Sequence, residues 1–314
     1  MKTFRFIGMA LLAVVMCVNF TSCSSDDEED NPIKNEDGII INQKKLMEIK
    51  QTDDEGYIDI YRFSYDNKGR LTSITNKEDK YPDDIISFTW GNNTIIVTYE
   101  DNSRTYTLTD NLVRKEQNNN GISKTFTYNS SNQLTKVDEI DSRYGHDYSY
   151  TYTWDNGKIV KHVYKKNNSE RSYVYEYTYN GKTCQGWFPN MVDEGWEPLD
   201  DDCIFFAHPE LIGMRTNQLP EQIFSKDTDT SEYYDEYYKE TYKAEYIYED
   251  TSKFDYELDK EGYVESCTVT YTSVATIKHS FSDKNGDGVI TDDERDVTET
   301  RTDTDIIIYT FKWE

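Results

Sequence analysis

The chain has 314 residues, of which 60 are acidic and 34 are basic, and its net charge is −26. This charge makes nucleic acid and anionic lipid poor partners for the body of the protein. Hydrophobic residues make up 36% of the sequence, but 14% of all residues are aromatic, which argues against a disordered chain. The 15 glycines and 6 prolines are too few for a collagen-like or low-complexity architecture.

The first 22 residues have the features of a secretory signal. Lys2 and Arg5 precede an apolar run from Phe6 to Phe20, which is too short to cross a bilayer comfortably. The small residues before Cys23 and the polar segment after it resemble a bacterial lipoprotein signal, and this implies a lipid-modified Cys23 that anchors the protein to a membrane. The alternative is an ordinary signal peptide cleaved nearby, which would leave Cys23 unpaired in an exported arm.

Residues 23–40 follow the signal, and we interpret them as an acidic tether. Residues 24–32 have no apolar side chain to bury and carry several like charges, so the segment is expected to stay solvated. It is similar to the acidic stretch that follows the lipid cysteine in lipoproteins of Bacteroidetes-type bacteria. That resemblance implies an outer-membrane lipoprotein displayed on the cell surface, with a periplasm-facing anchor as the alternative.

The body, residues 41–314, shows the period-two pattern of β-strands from about Tyr57 onward. Apolar and polar side chains alternate in one segment after another, for example at Tyr61, Phe63 and Tyr65. Short clusters rich in Asn, Asp and Gly, such as 66–69, separate these segments, and such residues tolerate the positive φ that tight hairpins require. The pattern predicts one repetitive, antiparallel β domain.

Internal similarity supports this prediction. Segments 63–74 and 126–137 align without gaps, and segment 256–267 fits the same frame. The aromatic residues before the turns are 25, 38, 26 and 25 residues apart, at Tyr65, Trp90, Tyr128, Trp154 and Tyr179. A spacing near 25 suits two strands with their turns, so the chain is predicted to form a long meander.

The repeat resembles a known type of hairpin. Residues 65–74 are similar to the YD hairpin repeat of RHS-type surface proteins. With the leader, the body from about residue 40 resembles Bacteroidetes lipoproteins of unknown function, whose repeated hairpins form a large, porin-like antiparallel sheet. Because that family has no established activity, the resemblance implies a fold and an address but no catalytic residue.

An open sheet of so many strands would leave two hydrogen-bonding edges unpaired, and closure removes both. We therefore predict an all-β fold, in which a long antiparallel up-and-down meander is rolled into a soluble barrel-like or porin-like sheet with one irregular insertion. A membrane-spanning barrel is the alternative. The charged residues in turns and strand ends, and the redundancy of a lipid anchor, argue against it.

The alternation lapses at about residues 181–240, where large apolar residues occur among prolines. We predict an ordered insertion with a short helical turn near residues 208–214 that plugs one end of the sheet. The second interpretation is a ligand-binding loop in which Trp187 and Trp196 are stacking surfaces.

Three further cysteines lie in the body, at Cys184, Cys203 and Cys267. An odd number permits one disulfide, and Cys184 with Cys203 is the better pair because both lie in the insertion. Cys267 aligns with Ile74 in the repeat, which predicts a buried apolar role.

Residues 283–294 match the twelve-position calcium loop of EF-hands. Oxygen-bearing side chains stand at positions one, three, five and twelve, and Gly288 stands at the sharp bend. The flanking sequence is strand-like rather than helical, so bound Ca²⁺ is expected to rigidify a turn. The predicted ligands are Asp283, Asn285, Asp287, Val289, Thr291 and Glu294. The alternative is an enlarged hairpin turn with solvated acids.

The sequence has no recognisable catalytic motif. Its four histidines lack metalloprotease spacing, and it has no nucleophile elbow, phosphate loop or dinucleotide fingerprint. We therefore expect an exported, lipid-anchored, non-catalytic surface module that is structural or binds a glycan or a protein through its Tyr and Trp faces. An anchored hydrolase acting on polysaccharide is the alternative, because two of the 60 acidic residues would be enough for that chemistry.

Overall fold

The computed structural model describes residues 43–78, 83–166, 172–188, 204–235, 240–281 and 295–314. These residues belong to one compact unit, Lys34–Glu314. The predicted signal, the lipidation site Cys23 and the whole predicted tether lie outside the described residues. The predicted calcium loop at 283–294 lies outside them as well.

Within the described ranges, sixteen antiparallel strands close into one barrel, and neighbours in the sequence are neighbours in the sheet. This confirms the predicted all-β antiparallel meander, and the structure shows that the sheet is a closed barrel and not an open rolled sheet. The strands are β1 (Leu46–Thr52), β2 (Ile58–Tyr65), β3 (Leu71–Glu78), β4 (Asp84–Gly91), β5 (Thr94–Tyr99), β6 (Asn102–Thr109), β7 (Leu112–Asn118), β8 (Ile122–Tyr128), β9 (Leu134–Asp141), β10 (His146–Asp155), β11 (Lys158–Lys166), β12 (Ser172–Thr178), β13 (Gln222–Asp235), β14 (Glu240–Leu258), β15 (Val264–Phe281) and β16 (Arg295–Trp313).

Pairing between the first and last strands closes the barrel. Ile49 of β1 lies opposite Phe311 of β16 in an antiparallel ladder. Just beyond the strands, Lys45 and Glu314 exchange two backbone hydrogen bonds, of 2.6 and 3.0 Å. Both terminal strands therefore have partners along this ladder, which removes the edges that an open sheet would expose.

The aligned repeat segments form hairpins with the same turn. The Asp66 carboxylate accepts the backbone N–H groups of Lys68 and Arg70 at 2.9 and 3.0 Å, and Gly69 adopts a φ of 83°. A short acidic or amide side chain can accept these bonds, and glycine enters the left-handed region without steric cost. The same bonds form at Asn129 and Asp259.

Aromatic side chains at the ends of alternate strands donate hydrogen bonds to the strand before them, and we call these contacts latches. The Tyr65 hydroxyl donates to the Leu46 carbonyl at 2.7 Å, and Trp154 Nε1 donates to the Leu134 carbonyl at 2.6 Å. Further latches are formed by Trp90, Tyr128, Tyr179 and Trp313. At this end of the barrel, the turns connect the two strands of each hairpin. The latches connect each hairpin to the next one, so every pair of neighbouring strands that has a turn or a latch is held together here.

The predicted aromatic spacing therefore has a structural cause. A latch residue recurs once in each unit, which consists of two strands and their turns. With strands of about ten residues, one unit is about 25 residues long. The interval of 38 residues between Trp90 and Tyr128 contains two units. At the end of the first, on β6, Leu108 occupies the corresponding position opposite Val113.

The inner face of the barrel is apolar near its closed seam, and the outer face is mixed. On β16, Tyr309, Phe311 and Trp313 are buried in the interior. The outer face of the same strand exposes Ile306 and Ile308 as well as Thr310 and Lys312. No helix among the described residues has the length and apolarity that crossing a bilayer requires.

The last four strands are much longer than the others, and we call their projecting part, residues 226–235, 240–250, 273–281 and 295–307, the tall wall. Pairing of β12 with β13 ends at Val174 opposite Lys226, whereas β13 and β14 stay paired as far as Asp235. Residues 222–235 were predicted to lie inside the insertion and instead form β13. The sequence pattern concealed this strand because its inward residues include Asp227 and Asp229 rather than apolar side chains.

The insertion between β12 and β13 fills one end of the barrel, and we call its described residues, 181–188 and 204–221, the plug. Helix α1 (Ile204–Ala207) and a 3₁₀ turn (Pro209–Ile212) are buried in it, and the 3₁₀ turn lies within the predicted helical region. Gly213 ends this turn, and a Cβ there would lie 1.9 Å from the Asn132 carbonyl oxygen. The plug therefore meets the β8–β9 turn at a distance that requires glycine.

Candidate functional site

Inward side chains change character along the barrel axis. Near the plug they are apolar, and toward the opposite end, which we call the mouth, they become polar. On β3 the buried Ile74 is followed inward by Asn76, and on β8 the buried Phe126 is preceded inward by Lys124. The plug end thus supplies a hydrophobic core, and the polar groups gather in the lumen near the mouth.

A cluster of four charged side chains lines this lumen on the adjacent strands β6–β9. Lys124 Nζ lies 3.7 Å from Glu116 Oε2 and 3.8 Å from Glu139 Oε2, and Arg104 Nη1 lies 3.7 Å from Glu116 Oε1. Glu116 and Lys124 are almost fully buried. Two acids and two bases balance one another, which is the condition under which buried charges are tolerated. The cluster holds Arg104 at the edge of a cavity.

That cavity has a volume of about 430 Å³ and lies at the mouth between β2 and β8. The Tyr99 hydroxyl donates to Asp84 Oδ2 at 3.1 Å, and Asn120 Nδ2 donates to Asn102 Oδ1 at 2.6 Å. Its lining combines tyrosine rings, side-chain amides, a guanidinium and a carboxylate: Tyr61, Asn76, Asp84, Ile86, Val97, Tyr99, Asn102, Ser103, Arg104, Asn118, Asn119, Asn120 and Ile122. We call it the asparagine cavity.

Asn76 gives this cavity an unused hydrogen-bond acceptor. Its Oδ1 is buried and has no partner among the described residues. An acceptor left unpaired in a folded protein costs about 1–3 kcal/mol. A ligand hydroxyl or amide N–H that enters the cavity could donate to this oxygen and recover that cost.

A stack of aromatic rings lines the lumen on β10–β12. The Tyr150 ring lies 5.0 Å from Tyr164, and the His162 ring lies 4.7 Å from Tyr152 and 5.4 Å from Tyr175. His162 has no exposed surface, and neither ring nitrogen has a hydrogen-bond partner among the described residues. Burial lowers the pKa of His162 to about 3, because the charged imidazolium would lose its hydration.

Trp187 lies inside the plug and exposes 5% of its surface. Its Nε1 donates to the Phe206 carbonyl at 2.8 Å, and its ring lies 5.0 Å from that of Trp313. The Arg215 guanidinium lies 4.4 Å from the Trp187 ring. Trp187 therefore packs the plug and leaves no open stacking surface, which corrects the second interpretation of this residue.

The plug also contains a buried ionic cluster. His208 Nδ1 lies 3.0 Å from Glu210 Oε1, and Arg215 Nη1 lies 3.7 Å from Glu210 Oε2. Burial opposes ionisation of Glu210, but the hydrogen bond and charge of His208 and the charge of Arg215 outweigh it and lower the pKa of Glu210. His208 is thus a packed residue that pairs with a carboxylate.

Most of the remaining predicted site residues lie outside the part of the chain that the structure describes. Trp196, Cys203 and the six predicted calcium ligands lie outside the described residues, as does Cys23. Cys184 and Cys267 are buried free thiols, as predicted for Cys267, and burial raises the pKa of Cys184 to about 12. In the part of the chain that the structure describes, no group of three or more His, Cys, Asp or Glu is placed to hold a metal ion.

The asparagine cavity was not predicted from the sequence. The available signal was local: Asn76 stands two residues after the buried Ile74, so period-two alternation points its side chain inward. A polar residue at an inward position marks the level at which the lumen stops being apolar. Its neighbours Tyr99 and Asn118 lie on β5 and β7, and only the closed sheet brings them to one cavity.

No protein-family model matches the sequence, and comparison with curated proteins gave no match. Among solved structures, the chain is similar to a porin-like protein from Bacteroides uniformis, with a TM-score of 0.56 and 18% identity over 85% of this chain and 96% of that protein. A chain in the TcdB2–TccC3 crystal structure matches with a TM-score of 0.25 and 11% identity, over 77% of this chain and 17% of that one. The first similarity shows a shared fold and confirms the predicted porin-like sheet.

Proposed function

We propose that this protein is an exported, lipid-anchored, non-catalytic surface module that binds a glycan in the asparagine cavity. The observation that carries the proposal is the buried, unpartnered Oδ1 of Asn76 in a cavity of about 430 Å³. Amides, a carboxylate and a guanidinium offer both donors and acceptors to sugar hydroxyls, and tyrosine rings offer flat apolar faces to sugar C–H groups. This combination favours a polar, ring-shaped ligand.

The lining favours binding over hydrolysis. Glycosidases use two carboxyl groups on either side of the scissile bond. In the described lining of the asparagine cavity, Asp84 is the one carboxylate, and Tyr99 already donates a hydrogen bond to it. We therefore favour a binding module, and an anchored hydrolase is the second candidate function.

The proposed location combines the lipoprotein-like leader with the surface of the barrel. Lys312 and Asp255 lie on the outer face, where the side chain of Asp255 is 89% exposed. Charged outer side chains such as these suit a barrel that stands in water beside the membrane, held through Cys23 and the acidic tether. Replacing Cys23→Ser should release the protein from membranes into the soluble fraction, whereas retention in the membrane fraction would contradict the anchor.

We also propose that residues 283–294 bind one structural Ca²⁺ ion. The strands on both sides support a turn-rigidifying role, because Phe281 of β15 pairs with Arg295 of β16 immediately before and after the loop. An ion held there would join the tips of two long strands of the tall wall. Its function would be to order the connection rather than to move a helix pair.

A glycan array probed with the chain lacking residues 1–22 and carrying Cys23→Ser tests the binding proposal. We expect selective binding that Asn76→Leu abolishes, because leucine has a similar shape but neither accepts nor donates a hydrogen bond. Thr75→Val on the outer face of the same strand is the matched control and should bind as the parent does. Absence of binding to every glycan, or equal binding by Asn76→Leu, would refute the proposal, and release of sugar products would favour the hydrolase.

A further inference from the structure

A second cavity lies on the concave inner face of the barrel, where the tall wall begins. Its volume is about 240 Å³, which is below the ~300–1,000 Å³ typical of pockets for drug-sized ligands. Strands β12–β15 all contribute to it. Four tyrosines line it, Tyr173, Tyr175, Tyr248 and Tyr271, and we call it the tyrosine cage.

Strand register explains why a cavity forms here. Tyr175 lies opposite Ser225, Ser225 lies opposite Asp250, and Asp250 lies opposite Ser273, so these four residues form one row across four strands. Ser225 and Ser273 are small and leave space on either side of Asp250. The tyrosines occupy the end of this row and the neighbouring rows, so four tyrosines and a carboxylate line the same cavity.

Two carboxylates and one lysine line the tyrosine cage. Asp227 and Asp250 line it, and the Ser225 hydroxyl donates to Asp250 Oδ2 at 3.5 Å. Lys226 is the basic residue in the described lining, and its Nζ forms an ion pair of 2.6 Å with Glu249. Lys226 and Glu249 lie opposite one another and alternate with the lining residues Ser225 and Asp250, so this pair belongs to the outer face.

We propose that the tyrosine cage binds a small organic cation that carries a quaternary ammonium group. Aromatic faces attract such a group through the ring quadrupole, and the attraction is strongest where water is excluded. The Asp250 carboxylate supplies counter-charge, and the serines leave the room that a compact head group needs. This proposal is independent of glycan binding, because the asparagine cavity lies on the opposite side of the lumen, on β2–β8.

Isothermal titration of the chain with choline tests this proposal, with 3,3-dimethyl-1-butanol as the neutral ligand of the same shape. We expect one saturable choline site, and we expect the neutral alcohol to bind about tenfold more weakly or not at all. Absence of a choline site, or equal affinity for both compounds, would overturn the proposal.

Variants locate the site. Asp250→Asn keeps the shape of the side chain and should weaken choline binding about tenfold. Asp255→Asn on the outer face of the same strand should bind as the wild type does. Ser225→Val fills the cavity with a residue that favours β structure and should abolish binding while circular dichroism stays unchanged. Asn76→Leu should leave choline binding intact. If neither Asp250→Asn nor Ser225→Val changes the affinity for choline, the cation binds elsewhere and the proposal is refuted.

Discussion

The buried histidine in the aromatic stack gives the sharpest test of the interior. His162 is fully buried among Tyr150, Tyr152 and Tyr175, and its two ring nitrogens have no partner among the described residues. Three uncharged rings cannot replace the water that would solvate an imidazolium. The folded barrel is therefore expected to exclude the protonated form of His162 until the solution is strongly acidic.

The effect on stability follows from the two pKa values. Burial lowers the pKa of His162 to about 3 in the folded barrel, whereas a histidine in the unfolded chain titrates near 6.5. Below pH 6.5 the unfolded chain therefore binds a proton that the folded barrel does not bind, so stability falls as pH falls toward 3. Linkage gives a loss of about 2 kcal/mol at pH 5 relative to neutral pH, from His162 alone.

Guanidinium denaturation near pH 8 and near pH 5 measures this loss. His162→Phe keeps an aromatic ring in the stack and removes the titrating group, so the decrease in unfolding free energy between the two pH values should be about 2 kcal/mol smaller than in the wild type. Tyr164→Phe, in the same stack, retains His162 and should keep the wild-type pH dependence even if its overall stability differs. Equal pH dependence for wild type and His162→Phe would refute the reasoning.

Three further predictions concern the latches, the plug and the calcium loop. Trp154→Phe should lower the unfolding free energy by about 1–3 kcal/mol, because the Leu134 carbonyl that accepted the indole N–H is left unpaired. Tyr144→Phe, at an exposed ring, is the control and should change the unfolding free energy little when denaturation curves are compared. Glu210→Gln should cost about 3–5 kcal/mol in the same assay, because it leaves a guanidinium buried in the plug without its counter-charge, and a neutral effect would contradict the ion pair. Calorimetric titration of the wild type should detect one Ca²⁺ site, and Asp283→Ala with Glu294→Gln should abolish the heat; unchanged heat would refute the ligand set.

Local sequence was sufficient to predict the repeated unit of this fold. Alternation assigned each strand an inner and an outer face, and the turn residues specified the hairpins. Asp66 shows why this works: its side chain accepts backbone N–H groups two and four residues ahead, so the information lies within one turn. The latch residues Tyr65 and Trp154 were also visible as a repeat, although their hydrogen bonds were not.

The limits of the sequence appear where function is proposed. Trp187 was selected because a large aromatic residue in an irregular segment suits a ligand, but the plug uses that ring as packing. Asn76, Asp250 and His162 were passed over because each is a single polar residue in a strand with an ordinary pattern. Their environments depend on residues from several strands, and no local pattern encodes those neighbours.

By itself, the sequence determined that the chain is a meander of hairpins with one interruption, because period-two alternation and turn chemistry act over a few residues. Only the tertiary structure decided that β1 pairs with β16, that the last four strands rise into a wall, and which inward polar groups share a cavity. The physical reason is that alternation fixes the face on which a side chain lies. The number of strands and their register decide which other side chains that side chain meets across the lumen.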